Sequence, residues 1–158
     1  GILDWLNPAQ YYFVEKSKLS KTLLTLLPLG SPGSGLHSAF IRVTNSEVIT
    51  VVSNRKGPWS IGLPDSYYGV MVAVIDTTKQ TSFNGEHSGE DKQDGLLFPK
   101  SGVYLQPQNP WPKNRIWTKT ETGDWGSLLY LGDSVSYKGI QVKLVASGNF
   151  DTVEISGS

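Results

Sequence analysis

One polar stretch concentrates the ionisable side chains of this chain. Asn84–Gly95, "NGEHSGEDKQDG", holds Glu86, His87, Glu90, Asp91 and Asp94. Calcium prefers several oxygen ligands, so Glu86, Glu90, Asp91 and Asp94 are the candidate calcium ligands. The spacing is not that of an EF-hand, which needs alternating acids, a central Gly and a closing Glu. A solvated surface loop has the same composition. Histidine is limited to His37 and His87. Zinc catalysis usually takes three protein ligands, often two His one helical turn apart, and neither His has such a partner. His37 reads as an ordinary, partly exposed strand residue.

Serine and carboxylate chemistry are weaker candidates. "GSPGSG", from Gly30 to Gly35, lacks the Gly-x-Ser-x-Gly elbow and has no Gly-Lys-Ser/Thr to hold a phosphate. It reads as a Ser/Gly loop. Glu15, Asp76, Glu121 and Asp124 are available for a carboxylate-pair hydrolase, whose outcome depends on a separation that sequence does not give. As strand-end residues they would simply face solvent. Trp111, Trp117 and Trp125 fall close together among Asn109, Asn114, Arg115 and Asp124. Indole faces beside amides and charged groups suit sugar rings, which makes Trp111, Trp117, Trp125, Asn114 and Arg115 the candidate glycan-binding set. The competing account packs each Trp into the core.

Any such site must be carried by one domain. The chain has 158 residues, enough for a single core without covalent staples, and is read as one domain over 1–158. Lys plus Arg equals Asp plus Glu, at 14 each. That balance disfavours nucleic acid, which usually calls for a basic excess. Cysteine is absent, which excludes disulfides and thiolate metal sites. No apolar run approaches the roughly 20 residues of a membrane helix. The opening "GILDWLNPAQ" has no basic stretch followed by an apolar one. It therefore reads as mature sequence or an excised fragment rather than a signal peptide.

The elements are strands. Near the end, Ile140, Val142 and Leu144 alternate with Gln141, Lys143 and Val145, and Val153 and Ile155 alternate with Thr152 and Glu154. Period two with Ser147-Gly148-Asn149 between the runs predicts a hairpin with one buried face. Ala39–Thr44 and Glu47–Ser53 predict a second hairpin around Asn45-Ser46. Val70–Ile75 is nearly all apolar and predicts a central strand buried on both faces. Tyr11–Glu15 predicts another strand, and Ser127–Leu131 and Arg115–Thr120 predict weaker ones. Leu19, Leu23, Leu26 and Leu27 have helical spacing while Thr22 and Thr25 favour strand, so that segment is open between a short helix and a strand. The fold class is all-β: a two-sheet antiparallel sandwich, with a jelly roll as one form of it and at most one short helix.

Three of these stretches together resemble a family. "LNPAQYYFVEKSK" resembles the Asn-Pro-x-x-Tyr-Tyr-x-Val-Glu-x-Arg strand of secreted zinc metalloproteases of the immune inhibitor A and gametolysin type. "GVMVAVIDT" resembles the following strand, and "LGDSVSYKGIQVKLVASGNFDTVEIS" resembles the terminal β-rich segment. The order and approximate spacing agree over half the chain. The departures are a missing H-E-x-x-H helix, Lys16 or Lys18 in place of Arg, and a long insertion between the first two strands. The resemblance implies the post-catalytic region of such a protein, secreted or extracellular, with no zinc ligand carried over. It implies a non-catalytic accessory domain whose partner is the catalytic domain of a larger polypeptide. The Trp cluster gives the alternative, a lectin-like module for a surface glycan; the carboxylate-pair hydrolase is the second alternative. No cofactor is expected beyond calcium.

Overall fold

The computed structural model describes residues 7–55, 68–77, 103–104 and 128–157. Its elements in chain order are β1 (Tyr11–Glu15), β2 (Thr22–Leu26), β3 (Ser38–Arg42), β4 (Glu47–Asn54), β5 (Gly69–Asp76), β6 (Val103–Tyr104), β7 (Leu128–Leu129), β8 (Ser134–Tyr137), β9 (Ile140–Ser147) and β10 (Asp151–Gly157). Short 3-10 turns, Pro8–Gln10 and Lys16–Lys18, flank β1. The strands form two sheets. The first runs β1-β3-β4-β5, with β6 and β7 sharing the far edge of β5; the second runs β2-β10-β9-β8.

The sheets stack because each strand turns alternate, apolar side chains inward; in the second sheet the intervening positions are mostly polar, and in the first many of them are apolar. Ala39, Ile41, Ile49, Val51, Val70, Val72 and Val74 come from the first sheet. Leu24, Leu26, Val135, Ile140, Val142, Leu144, Val153 and Ile155 come from the second, and all belong to one buried cluster. The all-β two-sheet sandwich therefore holds.

Pairing is antiparallel except between β1 and β3. The chain leaves the first sheet after β1, contributes β2 to the second sheet and returns as β3. Two crossings restore its direction, so β3 lies parallel to β1. The segment left open between helix and strand is β2. Leu24 and Leu26 point inward, Leu23 and Thr25 outward, and the strand pairs with β10 from Leu26↔Asp151 to Thr22↔Ile155. A ready edge on β10 decides what helical spacing alone did not.

β5 is central in its sheet but is not buried on both faces. Val70, Val72 and Val74 are buried, whereas Ile75 on the other face is 50% exposed. Of Ser127–Leu131, Leu128 and Leu129 form β7 and Ser127 lies outside the described residues. Arg115–Thr120 lies outside the described residues.

Turn chemistry sets the register of β8 on β9. Lys138 and Gly139 both have positive φ, 46° and 78°, the pairing a two-residue type I′ hairpin requires. Lys138 occupies a backbone region that side chains other than Gly rarely adopt. Its side chain is held from outside the hairpin, as shown next.

Candidate functional site

β4 has an inward face of alternating character: Glu47, Ile49, Val51, Ser53. The apolar pair fills the core, and the polar residue at each end meets the second sheet. At one end the Tyr137 hydroxyl donates to Glu47 Oε1 at 2.9 Å, and Lys138 Nζ donates to both carboxylate oxygens at 2.8 and 2.6 Å. Lys138 Nζ also lies 5.4 Å from the Tyr137 ring centre. The Lys138 carbonyl accepts from Lys16 Nζ, so the turn is held from two directions. The Lys138 bond, followed by the Tyr137 bond, keeps the Glu47 carboxyl below its usual range. Burial, then the bond to Glu47, pushes the Tyr137 hydroxyl up. The bond to Glu47 raises Lys138.

At the other end Asp151 is fully buried. Ser53 Oγ donates to its Oδ2 at 2.7 Å, and Arg55 Nε to the same oxygen at 2.9 Å. Arg55 Nη2 reaches Asp151 Oδ1 and Ser147. The guanidinium thus grips the carboxylate with two nitrogens, the geometry that best compensates a buried charge. The Ser53 carbonyl accepts from Leu29 N–H at 2.9 Å, which ties the Pro28–Gly35 loop to the same corner. These two clasps join the sheets at the two ends of β4; away from them, His37 Nε2 is buried with no hydrogen-bond partner among the described residues.

The outer faces of the two sheets differ. On the second, outward positions are Thr25, Thr152, Glu154, Ser156, Gln141, Lys143, Ser134 and Ser136, with Leu23 and Val145 interspersed. Lys21 and Glu154 pair there at 2.9 Å. On the first sheet the outward positions form apolar rows. Phe13 lies opposite Phe40, Phe40 opposite Thr50, and Thr50 opposite Ala73. Beside that row, Val52 lies opposite Met71; on its other side, Val48 lies opposite Ile75. Tyr11 meets Phe40 edge to face, with centroids 5.9 Å apart. Phe13 is 46% and Ile75 50% exposed, and the others are partly exposed. Contiguous exposed apolar faces of this kind mark interaction sites, ligand grooves or aggregation-prone surfaces.

An open cleft of about 420 Å3 lies at the end of this sheet, lined by Glu15, Lys16, Ser17, Arg42, Val43, Thr44 and Asn45. Glu15 and Arg42 face each other across β1 and β3.

Most of the sequence-level candidates lie outside the described residues. These are Trp111, Trp117, Trp125, Asn114 and Arg115 for a glycan, and Glu86, Glu90, Asp91 and Asp94 for calcium; His87, Glu121 and Asp124 lie outside too. Glu15 borders the cleft. Asp76 ends β5 and is paired in register with Glu47. His37 precedes β3; its ring Nδ1 lies 3.2 Å from the Pro28 carbonyl. No group of three metal-ligating side chains occurs among the described residues. None of their helices is long and apolar enough to cross a membrane. Comparison with family models, with curated proteins and with solved structures finds no match.

Sequence reasoning missed the two clasps and the outer face. The signal for the clasps was a Glu and a Ser in the inward phase of β4. The signal for the face was the apolar outward phase of β1, β3, β4 and β5 together, visible only once the strands are set side by side.

Proposed function

We propose that this chain is a non-catalytic accessory domain of a secreted metalloprotease-like protein, and that it docks on the catalytic domain of the same polypeptide. The outer face of the first sheet carries the reading. Its apolar rows, against a polar outer face on the second sheet, give the sandwich one side suited to an intramolecular interface and one suited to water. The interior clasps support a structural role, since Glu47, Asp151 and Arg55 are engaged in joining the sheets. The resemblance of Leu6–Lys18, Gly69–Thr77 and Leu131–Ser156 to post-catalytic segments names the neighbour.

The test is the coding sequence around this chain together with binding in trans. The region upstream should encode an H-E-x-x-H helix, and the domain containing it should bind the 158-residue chain. An upstream region without that helix sinks the metalloprotease assignment. A neighbouring domain that does not bind the chain sinks the docking.

A further inference from the structure

We infer that the cleft at the end of β1 and β3 is a binding site for a small acidic saccharide, a uronic acid or its short oligomer. It does not rest on the docking reading, since the isolated chain presents the cleft, although Glu15 and Arg42 continue the outward rows of Phe13 and Phe40.

Charge imbalance is the first argument. Arg42 Nη1 lies 3.7 Å from Glu15 and Lys18 Nζ 3.8 Å from it, so one carboxylate is shared by two cations at long range. Lys16 adds a third cation at the rim, its Nζ donating to the Lys138 carbonyl. Both ion pairs are exposed and contribute little to folding.

Unused donors are the second. A guanidinium carries five N–H donors in a fixed fork. Arg42 uses one, in a long 3.4 Å bond from Nη2 to Asn45 Oδ1. Among the described residues no other hydrogen bond from it is seen, and its Nη1 meets Glu15 only at the 3.7 Å of the ion pair. The remaining fork matches a carboxylate, which accepts two parallel N–H bonds.

Size and lining are the third. At about 420 Å3 the cleft is larger than a bare carboxylate needs and falls in the range of small-ligand sites. Ser17 and Asn45 supply a hydroxyl and an amide beside the fork, partners suited to sugar hydroxyls. The Thr44 hydroxyl accepts from the Ser46 and Glu47 N–H groups at 3.2 and 3.1 Å and donates to Glu47 Oε2, which fixes the loop that carries Asn45. A ligand carboxylate would sit on Arg42 near Lys16, with its ring hydroxyls toward Ser17 and Asn45.

The experiment is titration of the intact chain with digalacturonate, followed by amide chemical shifts and calorimetry. Neutral digalactose and inorganic phosphate serve as comparison ligands. Digalacturonate should shift the amides of residues 15–17 and 42–45 and bind less well as salt rises. Arg42→Ala should weaken it about tenfold, the scale of one charge-assisted bidentate contact. Arg42→Lys should recover only part of the loss, because an ammonium lacks the fork. Lys143→Ala, on the opposite sheet, should change nothing. Arg42 is exposed, and an unchanged unfolding midpoint in each variant confirms that the fold is intact. Absence of shifts, equal binding of the neutral disaccharide, or phosphate binding as well as digalacturonate would each overturn the assignment.

Discussion

Among the polar side chains, Asp151 should be costly to alter. Its carboxylate is buried and held by Ser53 and Arg55. Removing one partner of such a pair strands the other, whereas the intact pair adds little beyond an apolar replacement. Asp151→Ala should therefore lower stability by about 3 kcal/mol in urea unfolding, the scale of a broken buried pair. Ser53→Ala should cost only about 1 kcal/mol, the worth of one hydrogen bond. The Glu47 clasp should be read by pH. Glu47 titrates below its usual 4.5 in the folded chain, so its stabilisation is present above that value and is lost as pH falls through the depressed one. Tyr137 and Lys138 titrate above their usual 10.0 and 10.5. Their contribution is complete below those values and is lost as pH rises past them. Stability against pH should thus show a plateau that falls at both ends. Glu47→Gln should flatten the acid limb and Tyr137→Phe should soften the alkaline one. An unchanged acid limb in Glu47→Gln would remove the clasp from the account.

Among the elements, the strands were legible where one periodicity dominated. β9 and β10 alternate cleanly, and the Lys138-Gly139 pair sits at the turn its φ values require. β2 was not legible because its leucines fit both periods; its pairing edge on β10 lies over a hundred residues away in the chain. The parallel pairing of β1 with β3 was hidden for a similar reason, since local pattern does not record how often a chain changes sheet. β5 misled because a continuous apolar run looks the same whether its second face is buried or waits for a partner. The polar clasps were concealed by single residues: Glu47 and Ser53 each look like an ordinary strand end. Packing between elements gives a further expectation. A Cβ built on Gly69 would lie 2.7 Å from the Leu129 carbonyl oxygen, where β7 closes on the start of β5. Gly69→Ala should cost about 1–3 kcal/mol, the range for overpacking a tight contact. An alanine variant as stable as the parent would mean that β7 does not press on β5. By contrast Gly148→Ala, with nothing near its Cβ, should be close to neutral.

The two sheets described have unlike outer sides. One sheet shows water a threonine-, serine- and charge-bearing face, and the other shows Tyr11, Phe13, Phe40, Val52, Met71 and Ile75. Since these outward side chains are not part of the core, replacing the most exposed of them should leave folding nearly untouched. Phe13→Glu and Ile75→Glu together should shift stability by no more than about 1 kcal/mol, as surface changes do. The same pair should remove the apolar centre of the docking face, where truncation is most costly to binding. The decisive measurement is calorimetric titration of this chain with the catalytic domain proposed as its neighbour, at several temperatures. Docking through the first sheet predicts a negative heat-capacity change of binding, much reduced or lost with the Phe13→Glu, Ile75→Glu variant. Binding of undiminished affinity and heat capacity by that variant would contradict it.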